Sequence, residues 1–176
     1  MRKYLTSVSL LIMSGYAFAM AVGWRIMEGY QVRFEGKYAH GSFRKMEGNI
    51  RFDPGNPDDS HFEVSVDVAS IDTGIELKNK HARSEKWFDA DKYPRIYFLS
   101  KAVSRTDTGF IVCGELELRG IKKDIAIPFT FSGAGGQYQF YGKFKVNRGD
   151  FGIGKVNGKE TDSTTVEVSV PVLPLE

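Results

Sequence analysis

The sequence predicts an all-β fold: an eight-stranded antiparallel up-and-down barrel with one helix inserted between strands 3 and 4. Three observations support this prediction. Apolar and polar residues alternate over most of the chain, short turn motifs separate the alternating stretches, and one segment alone departs from the period of two. The composition agrees, because 13 Phe, eight Tyr and 19 Gly suit β-structure with many turns.

The alternation is clearest in residues 61–70, where Phe62, Val64, Val66 and Val68 share one face. Side chains two residues apart lie on the same face of a strand, so this row is expected to face the interior. The other stretches show the same one-sided pattern. The eight predicted strands cover residues 24–34, 43–52, 61–70, 96–102, 108–118, 125–131, 139–146 and 165–172.

Turn motifs connect most of these strands, so neighbours in sequence should pair antiparallel. Residues 53–59 and 132–136 are predicted loops, and Asp107-Thr108-Gly109 and Arg119-Gly120 are predicted tight hairpins. Eight strands with one apolar face close into a barrel or split into a sandwich. Glycines inside three strands, Gly48, Gly114 and Gly142, favour the barrel, since a strand glycine often marks a sharp bend.

Residues 75–87 break the period of two. Leu77, His81, Ser84 and Phe88 follow helical spacing there, and Asp72-Thr73 can cap the start of a helix. Pro94 returns the preceding residue to extended backbone. The segment is therefore predicted to form one helix that lies across an end of the barrel.

The first nineteen residues resemble a signal peptide. Arg2 and Lys3 precede a short apolar run, and Ala17-Phe18-Ala19 matches the cleavage pattern. We therefore predict a signal peptide over 1–19, a single mature domain over 20–176, and a periplasmic location. Cys113 would then be a lone thiol, which we expect to be buried within a strand and inert.

Charge and cysteine content exclude several classes of protein. Arg2 and Lys3 account for the formal charge of +2, so the mature chain has equal numbers of basic and acidic residues. Because nucleic-acid binding needs a clustered basic surface, no nucleic-acid partner is expected. A single cysteine also excludes an intrachain disulfide framework and a multi-cysteine zinc site.

The sequence contains no recognisable catalytic, metal or cofactor motif. Its three histidines, His40, His61 and His81, are far apart and lack metal-ligand spacing. His40 and His61 are interpreted as surface or capping residues, whereas His81 lies on the predicted helix beside basic neighbours. We expect neither catalysis nor a bound metal or cofactor. The apolar interior of such a barrel is either filled by side chains or holds one small ligand, and the period of two does not decide between them.

Several short motifs point to a known family. They are Ile71-Asp72-Thr73-Gly74, Lys80-His81-Ala82-Arg83-Ser84, Trp87-Phe88-Asp89-Ala90, Lys92-Tyr93-Pro94, Ile96-Tyr97-Phe98 with Ser100, Gly114-Glu115-Leu116, Arg119-Gly120-Ile121-Lys122-Lys123, and Asn147-Arg148 with Asp150-Phe151-Gly152. With Gly41-Ser42-Phe43, Gly48-Asn49-Ile50 and Phe52-Asp53 upstream, the chain resembles the YceI-like family of exported, lipocalin-like isoprenoid-binding proteins. The family's usual His-Ser pair near the start is missing after Trp24.

The resemblance implies a barrel lumen that holds a polyisoprenoid, quinone or fatty-acyl lipid. Transient membrane contact and a homodimer are both compatible with it. It implies a periplasmic binding or carrier protein. The alternatives are a ligand-free solid barrel acting in interaction or stress response through residues such as Tyr141, Lys143 and Lys145, and an enzyme acting on a bound lipid. The candidate mouth residues are His81, Arg83 and Arg148. The candidate lumen residues are Phe34, Val64, Val66, Val68, Phe98, Leu116, Leu118, Ile127, Phe129, Phe140, Phe144 and Val168. For Arg148 the other interpretation is a salt bridge with Asp150 that fixes a turn.

Overall fold

The structure is a computed structural model that describes residues 22–37, 40–154 and 162–175. The predicted signal peptide and its cleavage point lie outside these residues. The described part contains eleven strands and one α-helix. They are β1 (Gly23–Ile26), β2 (Gln31–Gly36), β3 (His40–Phe43), β4 (Met46–Arg51), β5 (His61–Asp67), β6 (Ile71–Asp72), α1 (Glu76–Arg83), β7 (Arg95–Thr106), β8 (Gly109–Leu118), β9 (Ile121–Ala134), β10 (Gln137–Asn147) and β11 (Ser163–Pro174).

The strands close into an antiparallel barrel. The order around the wall is β1, β4, β5, β7, β8, β9, β10 and β11, and β11 returns to pair with β1. Strands β7 to β11 are neighbours in both sequence and space. The predicted eight-stranded up-and-down barrel, with one helix between strands 3 and 4, is therefore confirmed.

Eleven strands make eight wall positions because three wall strands are interrupted. β1 and β2 both pair with β11 and are separated only by residues 27–30. β3 and β4 are separated by Arg44 and Lys45, and β5 and β6 by a 3-10 turn over Val68–Ser70. β6 pairs with β3 and lies at the end of the sheet, where α1 follows it along the chain.

The hairpins follow the predicted turn chemistry with one correction. Arg119 and Gly120 both have positive φ, 54° and 71°, as a two-residue type I′ hairpin requires. The predicted loop over 132–136 is wrong, because β9 continues to Ala134 and only Gly135 and Gly136 form the turn. Both glycines have positive φ, so two residues suffice to reverse the chain.

The strand glycines lie where the barrel wall bends or where the backbone of a neighbouring strand approaches closely. Gly114 pairs with Ser100 beside a register shift in β7, and a Cβ atom there would lie 2.4 Å from the Leu99 carbonyl oxygen. A Cβ on Gly48 would lie 2.2 Å from the Glu63 carbonyl oxygen. Gly142 differs, because its nearest atoms would be 3.3 Å away. Gly114 and Gly48 are therefore sterically required, whereas a Cβ at Gly142 needs a shift of only a few tenths of an ångström in its neighbours.

One end of the barrel is filled by aromatic side chains, which we call the aromatic plug. Phe52 lies at its centre, fully buried, with five other Phe rings at centroid distances of 5.0 to 6.0 Å. The indole Nε1 of Trp24 donates a 2.9 Å hydrogen bond to the Phe52 carbonyl. The plug consists of Trp24, Phe52, Phe62, Phe110, Phe129, Phe131, Tyr138 and Phe140.

The helix is shorter than predicted. It ends at Arg83 because the Ser84 backbone N–H and hydroxyl both bond the His81 carbonyl, and residues 84–92 continue as turns. Asp72 and Thr73 do not cap it, since Ile75 occupies the N-cap position without a side-chain bond. Instead Asp72 accepts from the Gly74 N–H, and the Thr73 N–H and hydroxyl donate to Asn79 Oδ1. These contacts fix the turn that leads into α1.

The prediction of a buried thiol is also wrong. Cys113 lies in β8, as expected, but on its solvent face, opposite Ala102 and Ala126 of the neighbouring strands. The inward row of this strand includes Val112 and Gly114, so the alternation places Cys113 outside.

Among the described residues, no helix is long and apolar enough to cross a membrane.

Candidate functional site

The half of the barrel beneath α1 is hollow. It encloses a cavity of about 470 Å³ that begins at the aromatic plug and reaches α1 at the other end. Ligand pockets for small molecules typically measure about 300 to 1,000 Å³. Its wall is almost entirely aliphatic and aromatic. Residues from nearly every wall strand contribute, with Phe62, Phe129 and Phe140 of the plug forming its floor.

The predicted lumen residues fall on this cavity with one correction. Those that line it are Phe34, Val64, Val66, Phe98, Leu116, Leu118, Ile127, Phe129, Phe140, Phe144 and Val168. Val68 does not. Strand β5 ends at Asp67, and Val68 begins a 3-10 turn in which the alternation no longer applies. Its side chain is buried within the turn, outside the cavity wall.

Only two of the three polar residues predicted at the mouth line the cavity. His81 and Arg148 line the cavity, whereas Arg83 does not. The Arg83 guanidinium turns back along the helix, with Nη2 2.6 Å from Glu76 Oε1 and Nη1 3.4 Å from the Ala69 carbonyl. Placing Arg83 at the mouth was therefore wrong, because Glu76 lies within its reach on the same helix.

Arg148 is held rigidly beside the cavity. Its Nη1 donates to the Ile153 carbonyl at 2.9 Å, and its Nη2 lies 2.5 Å from Asp162 Oδ1. Both side chains of this pair are buried. The sequence suggested Asp150 as the partner, but Asp150 is exposed and the partner is Asp162. Arg148 thus joins the 3-10 turn after β10 to the start of β11.

Further mouth residues were missed by the sequence reasoning. Lys78, Ala82 and His81 of α1 line the cavity together, and Trp87 and Phe88 from the following turns cover it. Lys78 lies three residues before His81, so the two share a helix face. That spacing was available in the sequence. Lys37, which follows β2, could not be placed because no local pattern points to it.

The electrostatic character of the site is one-sided. Its charged lining residues are Lys37, Lys78 and Arg148, with His81 beside them, whereas Arg33 adjoins it from an outward-facing position of β2. No Asp or Glu of the described chain lines it. Nor do the described residues bring together three or more His, Cys, Asp or Glu side chains that could hold a metal ion. The arrangement suits a ligand with a long apolar part and a polar end.

Comparison with known proteins identifies the family. The YceI-like domain matches residues 24–172, which run from β1 to near the end of β11. The chain belongs to this family. The resemblance inferred from the short motifs is thereby confirmed.

Relatives and solved structures agree with this membership. A UPF0312 protein of Pseudomonas savastanoi pv. phaseolicola is 34% identical over 140 residues, which cover 76% of this chain and 71% of that protein. The crystal structure of BcnA from Burkholderia cenocepacia superposes with a TM-score of 0.74 at 26% identity, covering 81% of this chain and 95% of BcnA. A polyisoprenoid binding domain from Saccharophagus degradans has the same fold, with a TM-score of 0.61 at 12% identity, covering 89% of this YceI-like chain and 99% of that domain.

Proposed function

We propose that this YceI-like protein is a periplasmic binding or carrier protein that holds a long isoprenoid or related lipid chain in its barrel. The observation that carries the proposal is the cavity of about 470 Å³, with its apolar wall, closed floor and polar mouth. A fold relative described as a polyisoprenoid binding domain supports the choice of ligand class. The predicted signal peptide supports the location.

The expected affinity suits a carrier. At roughly 0.3 kcal/mol per non-hydrogen atom, a 20-carbon chain would bind with about 6 kcal/mol, which corresponds to a dissociation constant of tens of micromolar. An aliphatic and aromatic wall contributes this energy without distinguishing strongly between chains of similar length. Such a protein would load and release its ligand without an energy source.

Loading from a bilayer would involve α1. Leu77 and Ile75 are 62% and 49% exposed, and they lie beside Lys78 at the mouth end of the barrel. Exposed apolar side chains next to a basic residue suit the interface of an anionic membrane. We propose that this end of the barrel meets the membrane transiently and that the ligand passes beneath α1.

We propose binding rather than catalysis. Fixed polar groups at the cavity are few, and the best ordered of them, Arg148, is committed to Asp162 and to the Ile153 carbonyl. The alternative of a ligand-free, solid barrel fits the plug end of this molecule, where Phe52 packs among its neighbours, and the cavity in the other half favours a ligand.

Native mass spectrometry tests the proposal. We expect protein purified gently from a periplasm to carry a lipid of defined mass, and the matched variant Val66→Trp, which fills the cavity, to lack it. If the wild type repeatedly emerges with only its apo mass from a lipid-rich source, the ligand-free alternative replaces the carrier function. Recovery of a chemically altered lipid after incubation with the protein would instead indicate an enzyme.

A further inference from the structure

We infer that the cavity selects a lipid whose head is a single anion, a phosphate or a carboxylate, over the same chain with a neutral or cationic head. This inference rests on the proposed lipid-binding function and assigns the chemistry of the ligand's polar end. It is carried by the distribution of charge around the mouth. Among the described residues, the charged ones that line the cavity are all basic.

Two of these groups lie side by side on the helix. Lys78 and His81 are one turn apart in α1, and both line the cavity together with Ala82, while Asn79 is buried on the adjacent face. A headgroup that emerges from the apolar barrel therefore meets an ammonium and an imidazole on the same element.

The nearby carboxylates already have partners. Glu76 pairs with Arg83 on the outer side of α1, and Asp72 pairs with Arg44 beside the preceding turn. Asp162 pairs with Arg148, so that the charge of Arg148 is balanced within the protein. Within the described ranges, no comparable carboxylate lines the cavity beside Lys78. The ammonium of Lys78 is therefore available to whatever lies in the cavity.

An anionic head gains from this arrangement in two ways. Hydrogen bonds between a charged donor and a charged acceptor are about twice as strong as neutral ones. The adjoining hydrocarbon wall lowers the local dielectric, which strengthens attraction between opposite charges. An alcohol head gains neither term, and an amine head is repelled. Both phosphate and carboxylate heads satisfy the requirement, so the experiment includes one of each.

The test compares matched heads on identical chains. Affinities are measured by the change in tryptophan fluorescence, to which Trp87 contributes from the cavity wall, for geranylgeranyl phosphate, geranylgeraniol, oleate and oleyl alcohol at low salt. We expect at least one anion to bind ten times more tightly than its alcohol, with the ratio falling as salt screens the charges. Lys78→Gln should reduce that ratio at least threefold. Lys80→Gln, an exposed position on the same helix that does not line the cavity, is the control and should leave the ratio unchanged.

The outcomes separate this inference from the proposed function. Preference for geranylgeranyl phosphate alone supports a lipid phosphate, and preference for oleate as well supports a wider anion specificity. Equal binding of anions and alcohols overturns the inference and leaves lipid binding intact. Failure of all four compounds to bind overturns both. An equal loss of preference in Lys80→Gln and Lys78→Gln would also overturn it, because general surface charge would then explain the effect.

Discussion

Arg148 and Asp162 form a buried ion pair across the point where β10 gives way to β11. Arg148 Nη2 lies 2.5 Å from Asp162 Oδ1, the Asp162 side chain is fully buried, and Arg148 also donates to the Ile153 carbonyl. The pair therefore joins two segments of the chain beside the cavity. A buried charge without an opposite charge beside it is strongly destabilising, so the loss of either partner should destabilise the fold.

Removing Asp162 should destabilise the fold severely. Asp162→Ala leaves the Arg148 guanidinium buried without its carboxylate, a change that typically costs about 3–5 kcal/mol. Urea unfolding measures the free energy. The control is Asp150→Ala, since Asp150 is exposed and two residues from Arg148 in the same turn. A larger loss for Asp150→Ala than for Asp162→Ala would contradict the pairing described here.

Val66 tests the hollow half of the barrel. It lines the cavity, so Val66→Trp should occupy ligand space and reduce binding of a fluorescent polyprenyl analogue more than tenfold, with a small change in thermal stability. Val103→Trp is the matched variant, because Val103 is buried in the packed core and lies outside the cavity. Overpacking there should cost about 1–3 kcal/mol. Equal destabilisation by both substitutions would mean that the cavity is filled in solution.

Phe52 tests the aromatic plug. Its ring is fully buried among five other Phe rings, and truncating such a residue to alanine costs about 3–5 kcal/mol. Phe144→Ala should cost less, because Phe144 lines an existing cavity and already lacks packing partners on one side. Denaturant unfolding of both variants gives the comparison. A smaller loss for Phe52→Ala than for Phe144→Ala would show that the plug is not tightly packed.

The strand glycines should differ in their tolerance of alanine. Gly114→Ala places a Cβ 2.4 Å from the Leu99 carbonyl oxygen, which can move only with its strand, so we expect a loss of about 1–3 kcal/mol or more. Gly142→Ala meets its nearest atoms at 3.3 Å, and we expect a change below about 1 kcal/mol. Thermal unfolding measures both, and the prediction fails if the order is reversed.

Acid should loosen the turn that leads into α1. A hydrogen bond from the Gly74 N–H, followed by the bond from Arg44, lowers the pKa of Asp72 below its ordinary value of 3.8. A carboxylate with a lowered pKa stabilises the fold above that ordinary value, and its contribution is lost as the pH falls through the folded pKa. Carboxyl NMR titration should place the midpoint below 3.8. Hydrogen exchange in α1 should rise below that pH in the wild type, whereas Asp72→Asn should exchange faster at neutral pH and lose this acid dependence.

Much of the barrel could be predicted from local sequence patterns. Alternation identified the inward side of β5 and β8, and the Arg119-Gly120 hairpin was correct because both residues adopt the positive φ that this turn needs. The alternation failed at Val68, where the strand had already ended. Alternation predicts which side of a strand faces the interior, but not how far along the barrel axis a residue lies. It therefore could not separate Phe140, which belongs to the plug, from Phe144, which lies further along the same strand and lines the cavity.

Side-chain contacts between residues that are distant in sequence could not be predicted from local sequence patterns. Asp162 gives no local sign that it will be the partner of Arg148, and Asp150 was the nearer candidate. Arg83 was predicted at the mouth, but its guanidinium bonds Glu76, seven residues earlier on the helix, instead of lining the cavity. These choices depend on side-chain geometry after folding, which hydrophobic periodicity does not describe.

The closed floor of the cavity fixes the order in which a bound chain can move. With the barrel filled at Phe52 and its neighbours, a lipid bound as proposed would slide in tail first and withdraw head first through the opening beneath α1. An acceptor, whether membrane or enzyme, would therefore meet the headgroup before any of the hydrocarbon is exposed. The distance from Phe129 to His81 likewise sets the length of chain that fits, and a longer lipid must leave its excess outside the protein.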